Sequence, residues 1–250
     1  MSESTVLQAY YQLEPDAQTA LIASLPDSEQ IELLQLLEAE AQTQTALTNP
    51  FAGPWDYLTR AVYTQDQAAG SVRQFPDLEY LRHVVEAREC CKLFAVIKSR
   101  RMIISWLMCA LYLYETATAA NQASFIASRK FETSCELVGR LAFIYDHVPP
   151  DVWPNKPAME RRAGQNGRGN ASLYFPALSS NVFAVAEGSD QLRQYGASRV
   201  LCDEAAFWDR WEDSWAALKP TIQGGGRIDL VTTPESTSPV RQLLYGSGAV

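Results

Sequence analysis

The stretch RVLCDEAAFW, residues 199–208, places two carboxylates directly after a short apolar run. Residues 199–202 have the pattern of a buried strand, and this strand ends in Asp203 and Glu204. A carboxylate pair after a core strand is costly unless a cation or polar ligand lies there, and open α/β sheets bind ligands at that edge. The stretch therefore indicates a metal–nucleotide site. The start of a helix, where acidic residues are favourable, fits it equally well.

From about residue 90 the chain alternates between strand-like and helix-like patterns. The predicted strands are 92–97, 123–128, 200–203 and 227–232, with a hairpin of 171–176 and 181–186 before the third. The predicted helices are 102–119, 131–145 and about 205–218, the last with core tryptophans at Trp208, Trp211 and Trp215. This alternation predicts an α/β fold with a mainly parallel central sheet flanked by helices. The stretch 199–208 then ends a central strand.

Charge is unevenly distributed along the 250 residues. Residues 1–59 contain nine acidic residues and no Lys or Arg, so the remainder has a net charge of +1 against −8 for the whole chain. Helical periodicity over 5–45, followed by the Pro- and Gly-rich break at 49–54, predicts an acidic helical N-terminal arm over 1–60. The main domain then spans 61–250. An arm of this charge avoids DNA and suits a basic partner.

The remaining composition argues against several classes of protein. None of the five cysteines forms a CxxC pair, and with only two histidines besides there is no zinc-binding pattern. Free thiols fit a reducing cytoplasm. The longest apolar stretch, 102–114, has 13 residues and is too short to span a bilayer. We therefore expect a cytoplasmic protein without a membrane partner.

A nucleotide site in such a fold needs a phosphate-binding loop after an earlier strand, and VIKSRRMIIS, residues 96–105, is the candidate. The apolar strand runs into four polar residues: Lys98, Ser99, Arg100 and Arg101. A helix follows, with Ser105 in its first turn. Backbone N–H groups at a helix start bind phosphate together with cationic side chains, and a hydroxyl there can ligate Mg²⁺.

This loop departs from the usual GxxxxGK[ST] pattern. Ile103 and Ile104 stand where Gly and Lys precede the hydroxyl, and a tight loop is harder to form without glycine. A basic loop ahead of a core helix is therefore the alternative interpretation.

A third segment, DLVTTP at 229–234, has a similar form. It is an apolar strand that ends in Thr232 and Thr233 before a proline, again at a sheet edge. Hydroxyls at this place can contact a γ-phosphate or its attacking water. A capped strand end followed by a turn is the alternative.

Together these segments resemble the ATPase domain of the terminase large subunit of tailed bacteriophages, the motor that packages DNA into phage heads. The resemblance covers about residues 80–240 and rests on KSRRMIISW (98–106), SNVFAVAEGSDQLRQYG (180–196), VLCDEAAFW (200–208) and LVTTPE (230–235). In order and spacing these are similar to the family's Walker A variant, glycine-serine/arginine segment, Walker B and coupling motif. The resemblance implies a RecA-like P-loop ATPase fold of the ASCE class.

The resemblance also implies a role for each matching residue. The implied nucleotide-binding residues are Lys98, Ser99, Arg100, Arg101 and Ser105. Lys98 matches the displaced lysine of some terminases and would contact the β- and γ-phosphates. Ser105 and Asp203 would hold Mg²⁺, and Glu204 would polarise the attacking water.

Two arginines and two threonines complete the implied site. Arg100 matches the family's Walker A arginine, and Arg193 matches an arginine that can reach the nucleotide of a neighbouring subunit. Thr232 and Thr233 match the coupling motif that links hydrolysis to DNA movement.

Three features differ from the family. Ile103 replaces the usual Gly, and Gln194 replaces the Gly that commonly follows the residue at 193. The adenine-contacting glutamine motif should lie within 80–88, where no clear match is present. Terminase large subunits usually continue into a nuclease domain, whose acidic cluster does not follow here, so we expect no DNA cleavage.

The sequence is therefore interpreted as an ATP-hydrolysing motor subunit that drives double-stranded viral DNA into procapsids, with ATP and Mg²⁺. The resemblance implies as partners the DNA, a portal protein, a small terminase subunit and further copies of the chain in a ring, a pentamer, in the host cytoplasm. A helicase-like DNA-dependent ATPase, suggested by DEAA at 203–206, is one alternative. A catalytically inactive nucleotide-fold scaffold, suggested by the altered Walker A segment, is the other.

Overall fold

A seven-stranded, mainly parallel sheet forms the centre of the molecule. The computed structural model describes residues 49–66, 70–163, 170–188 and 196–235, and parts of 10–37 and 238–246. The sheet strands are β3 (Leu93–Ile97), β4 (Ala123–Ser128), β5 (Glu160–Ala163), β6 (Asn170–Phe175), β7 (Ser180–Ala186), β8 (Arg199–Asp203) and β9 (Arg227–Thr232). Their order is β3-β9-β8-β4-β7-β6-β5. The first five are parallel, and β5, β6 and β7 form antiparallel pairs.

Helices cover both faces of this sheet. They are α1 (Pro15–Ser24), α2 (Pro54–Ala61), α3 (Glu79–Glu89), α4 (Ile104–Ala117), α5 (Phe131–His147) and α6 (Trp211–Gln223). A two-stranded antiparallel hairpin, β1 (Tyr63–Asp66) and β2 (Ser71–Gln74), lies between α2 and α3. None of the helices in the described ranges is long and apolar enough to cross a membrane.

The strand predictions are confirmed. Strands β4 and β9 have the predicted bounds, and β3, β8 and the hairpin β6–β7 differ from them by a residue or two. The stretch 199–208 ends an interior strand, because β8 pairs with β9 on one side and β4 on the other. These strands were recognisable because each is a short apolar run with polar residues at its end.

The prediction of one continuous helix over 205–218 is wrong. Residues Ala205–Phe207 form a single 3₁₀ turn, Trp208 is extended, and the helix begins at Trp211. The indole N–H of Trp208 donates to the carbonyl oxygen of Asp203 at 3.0 Å, which holds the chain back against the end of β8. This hydrogen bond spans five residues and coincides with the break in a segment whose apolar spacing is helical throughout.

The core has two parts, one on each face of the sheet. Alternate residues of a strand contribute to opposite parts, as Leu201 does to one and Val200 and Cys202 to the other. The first part is made with α2, α4 and α5, and includes the stacked pair Tyr57 and Tyr114. Most of helix α2 falls in the predicted arm, 1–60, and its residues Tyr57 and Leu58 pack in this main core.

The second part of the core contains the predicted tryptophans. Trp208 and Trp211 are buried, and Trp215 stacks on Trp211 with ring centroids 5.6 Å apart. The prediction that these side chains belong to the core is confirmed, and they secure the segment that follows Glu204 to the sheet.

Candidate active site

Three of the predicted segments meet at one edge of the sheet. Strands β3, β9 and β8 are neighbours, and they end at Ile97, Thr232 and Asp203. We call this edge the carboxyl edge. The backbone N–H of Lys98 donates to the carbonyl oxygen of Thr232 at 2.9 Å, which fixes the start of the 98–103 loop against β9. The parallel topology thus brings together residues more than 100 positions apart.

Glu204 is the most connected carboxylate of this edge. Lys98 Nζ donates to Glu204 Oε1 at 2.8 Å. Thr233 donates to Glu204 Oε2 from its backbone N–H at 3.0 Å and from its hydroxyl at 3.2 Å. Burial by itself raises the pKa of Glu204, but the hydrogen bonds from Lys98 and Thr233 lower the pKa overall. The side chain is therefore held as a carboxylate with both oxygens occupied.

Asp203 and Ser105 form a separate pair beside it. The Ser105 hydroxyl donates to Asp203 Oδ1 at 3.2 Å. Burial raises the pKa of Asp203, and the Glu204 carboxylate adds to that rise, while Lys98, the Ser105 hydroxyl and Arg140 oppose it. A hydroxyl and a carboxylate side by side supply two oxygen ligands, and Mg²⁺ takes a few protein oxygens and completes its shell with water and phosphate. The donor set therefore fits Mg²⁺.

The loop between β3 and α4 is strained where glycine is missing. Ile103 has φ 60° and ψ −1°, and Arg101 has φ 65°. A β-branched residue in the left-handed region costs about 1–3 kcal/mol unless the surroundings enforce it. The backbone thus takes a turn that glycine would form without strain. The predicted phosphate-binding residues Ser99, Arg100 and Arg101 are exposed along it.

The two predicted coupling threonines contact the segment that carries Glu204. Thr233 bonds Glu204 directly, and the Thr232 hydroxyl accepts the backbone N–H of Ala206 at 3.1 Å. Glu204 itself has φ 50° and ψ 42°, a left-handed conformation that these contacts help to hold. The end of β9 and the turn after β8 therefore form one hydrogen-bonded unit.

Two further parts of the site were predicted from the sequence. Arg193 and Gln194 lie outside the described residues, so their prediction stays a prediction. Within 80–88, only the Tyr80 end of α3 approaches the loop, where its hydroxyl donates to the carbonyl oxygen of Met102 at 3.2 Å. Arg88, at the other end of α3, is buried away from this edge and is not available for a nucleotide base here.

Arg88 instead belongs to a cluster near the opposite edge, where β3, β8 and β9 begin. We call the cluster the amino-edge network; its members are Arg88, Tyr112, Glu115, Arg199 and Asp229. Arg88 donates to Asp229 Oδ2 at 2.9 and 3.0 Å and to Glu115 at 2.6 and 3.0 Å. No pattern in the sequence signalled this network, because its members are scattered over 141 positions.

No model of a known protein family matches the chain, and no curated protein matches it. The fold is similar to three solved structures. The HK97 bacteriophage large terminase aligns with a TM-score of 0.53 and 10% identity, over 72% of this chain and 36% of that one. The large terminase ATPase domain of Thermus phage P74-26 aligns at 0.45, with 19% identity over 61% of this chain and 64% of that one.

A mutant of that same Thermus phage domain aligns at 0.48, with 17% identity over 64% of this chain and 68% of that one. The present chain thus spans about a third of the HK97 protein. At these identities the likeness shows the fold alone. Together with the strand order, it shows that the chain has the RecA-like α/β fold found in phage large terminases, as predicted.

Proposed function

We propose that the chain is a Mg²⁺-dependent ATPase of the terminase type. The observation that carries this proposal is the pairing of Lys98 with Glu204 beside the pairing of Ser105 with Asp203, at the ends of three neighbouring parallel strands. A cation, an ionised carboxylate and two oxygen ligands are groups that phosphoryl transfer uses. The RecA-like fold supports the same function.

Ser105 and Asp203 would hold Mg²⁺, which when bound neutralises charge on the phosphates. Lys98 would contact the β- and γ-phosphates, with Ser99, Arg100 and Arg101 on the same loop. Because Lys98 is bonded to Glu204, a phosphate that attracts the ammonium group would leave Glu204 Oε1 free to accept a proton from water. Thr233 would keep the other oxygen of Glu204 in place meanwhile.

The finer parts of the proposal rest on the resemblance to terminases. The ATPase would occupy about 61–250, behind the acidic arm, and would act on double-stranded DNA in the host cytoplasm. Its partners would be a portal protein, a small terminase subunit and other copies of the chain in a ring, a pentamer. Thr232 and Thr233 would transmit hydrolysis to DNA movement.

Arg193 would act on the nucleotide of a neighbouring subunit. Such an arginine contributes about 10³–10⁵ in rate. Mixing two inactive variants, Arg193→Ala and Glu204→Gln, should restore part of the activity, since some interfaces would join an intact carboxylate to an intact arginine. If mixing restores nothing, Arg193 acts within its own subunit or not at all.

Steady-state ATP hydrolysis with and without duplex DNA tests the function. We expect Mg²⁺-dependent turnover by the wild type and none by Lys98→Ala, because that loop contains no other lysine. Lys92→Ala is the matched control. Lys92 comes directly before β3, whereas Lys98 comes directly after it, and Lys92 donates to the carbonyl oxygen of Gly225. Absence of turnover in the wild type would favour an inactive scaffold. Equal turnover in Lys98→Ala would show that the phosphate site is elsewhere.

A further inference from the structure

Helix α5 carries a cation next to the first turns of α4. The guanidinium carbon of Arg140 lies 5.6 Å from the centre of the Trp106 ring, and Trp106 directly follows Ser105. One turn further along, Cys109 Sγ lies 3.7 Å from the carbonyl oxygen of Leu137 on α5. The two helices are therefore in contact here, on the side of α4 that begins at the phosphate loop.

Arg140 is partly buried and has no acidic partner in the described ranges of the chain. Arginine in such a position is usually paired, because burial of an uncompensated charge is costly. Arg199, which is also partly buried, bonds Glu115 at 3.1 Å. A cation–π contact with Trp106 offsets part of the cost for Arg140 and leaves its charge free for an anion.

Helical spacing places Arg140 at the level of Ser105. On α4, Cys109 lies one turn after Ser105 and contacts Leu137, and on α5, Arg140 lies one turn after Leu137 and covers Trp106. Asp203 and Glu204 contribute two negative charges to the site, and Lys98 is bonded to one of them. A magnesium-bound triphosphate is itself an anion, so a cation in addition to Lys98, Arg100 and Arg101 strengthens its binding.

The usual P-loop pattern has a lysine at position 104, and here that position is Ile104, which is buried in the core. We propose that Arg140 is a phosphate-binding cation of this site, in addition to Lys98. The ligand is the triphosphate group of a nucleotide. This inference rests on the proposed function and adds a residue that lies outside all of the quoted motifs.

Equilibrium binding of Mg-ATP and of adenosine tests the inference in Arg140→Gln and Arg140→Lys. Loss of one charged hydrogen bond predicts an Mg-ATP affinity about 10- to 100-fold lower in Arg140→Gln, with adenosine affinity unchanged. Arg140→Lys should recover most of the loss. Arg162→Gln is the matched control, because Arg162 also lies over an aromatic ring, that of Tyr174 at 5.8 Å, but far along the sheet on β5. It should bind like the wild type.

Stability is followed in the same variants by denaturant unfolding, and Arg140→Met provides a second neutral side chain that still covers Trp106. Unchanged Mg-ATP affinity in a folded Arg140→Gln or Arg140→Met variant overturns the inference. Equal losses for Mg-ATP and adenosine also overturn it, since they indicate general disruption. If the wild type binds no Mg-ATP, the proposed function fails first, and this inference fails with it.

Discussion

The two edges of the central sheet both carry clusters of charged residues, yet the clusters differ in how far they are exposed to solvent. In the amino-edge network, the side chains of Arg88 and Asp229 are 2% and 0% exposed. At the carboxyl edge, Lys98 is 9% and Glu204 35% exposed. One cluster is sealed into the fold, whereas the other opens to solvent at strand ends where ligands bind in such sheets.

The charged side chains of the amino-edge network bond to one another. Each of the two Glu115 oxygens accepts from Arg88, and Arg199 adds a third contact. Asp229 Oδ2 accepts from Arg88 and from the Tyr112 hydroxyl at 2.9 Å. A cleft of about 960 Å³ opens beside these residues and is lined by Glu115 and Arg199. Glu115 and Arg199 are already paired with each other, so the volume alone does not indicate a catalytic site.

The charged groups of the carboxyl edge are arranged differently. Its two carboxylates are adjacent in the chain, and the charge of Glu204 raises the pKa of Asp203. Their partners are Lys98, Ser105 and Thr233, and Lys98 is the partner that a phosphate group would draw away. The comparison distinguishes a cluster that is open to solvent, which we propose to be catalytic, from a cluster sealed inside the fold, which is structural.

The largest expected effect on stability is that of Arg88→Met. Removing this guanidinium leaves Asp229 buried with the Tyr112 hydroxyl as its remaining bond in the network, so we expect a loss of about 3–5 kcal/mol in the free energy of unfolding. Urea denaturation measures it. Arg82→Met, on an exposed position of the same helix, should cost less than about 1 kcal/mol. Similar losses of stability in both variants would contradict the structural role of the amino-edge network.

Glu115→Gln should have a smaller, pH-dependent effect. Burial raises the pKa of Glu115, but the Arg88 guanidinium, with Arg199 and Arg227, lowers the pKa overall. A carboxylate with a lowered pKa in the folded state stabilises above its unfolded-state pKa, and this contribution disappears as pH falls through the folded-state value. We expect the variant to lose about 1–3 kcal/mol at neutral pH.

The difference between wild type and Glu115→Gln should then shrink below about pH 4.5, the ordinary range of a glutamate. Unfolding curves measured from pH 7 to pH 3 show this directly. Glu86→Gln, exposed on α3, should show no such trend. A difference that grows on acidification would mean that the charged form of Glu115 destabilises the fold.

The smallest effect on stability is expected at the carboxyl edge. Glu204→Gln keeps an oxygen that accepts from Thr233 and loses the ion pair with Lys98, which is partly exposed to solvent. We expect a change below about 1 kcal/mol in the free energy of unfolding. Thermal and urea unfolding measure it. A loss as large as that of Arg88→Met would place Glu204 among the structural residues.

Sequence reasoning identified the sheet because buried strands have a strong local signal. The runs at 123–128 and 227–232 are apolar, short and bounded by polar residues, and the strands have those bounds. Once the strands were taken as parallel, Lys98, Asp203 and Thr232 had to meet at one edge. The grouping of the candidate site therefore followed from topology.

Contacts between residues far apart in the chain could not be predicted from the sequence. The bond of Lys98 to Glu204 joins positions 106 apart, and that of Arg88 to Asp229 joins positions 141 apart. Arg88 lies in an ordinary amphipathic helix, and the sequence pattern of that helix would be the same if Arg88 were exposed on the surface. The interruption at Trp208 coincides with a side-chain hydrogen bond to the end of β8, which the helical spacing of apolar residues does not reveal.

ATP hydrolysis and Mg-ATP binding by Glu204→Gln, compared with Glu115→Gln, test whether the carboxyl edge is catalytic and the amino-edge network structural. We predict that Glu204→Gln binds Mg-ATP like the wild type and loses about 10²–10⁴ in turnover, the contribution of a positioned base. Glu115→Gln should keep turnover while losing stability. The account would be contradicted if Glu204→Gln hydrolysed ATP at the wild-type rate, or if the amino-edge variant lost turnover while it remained folded.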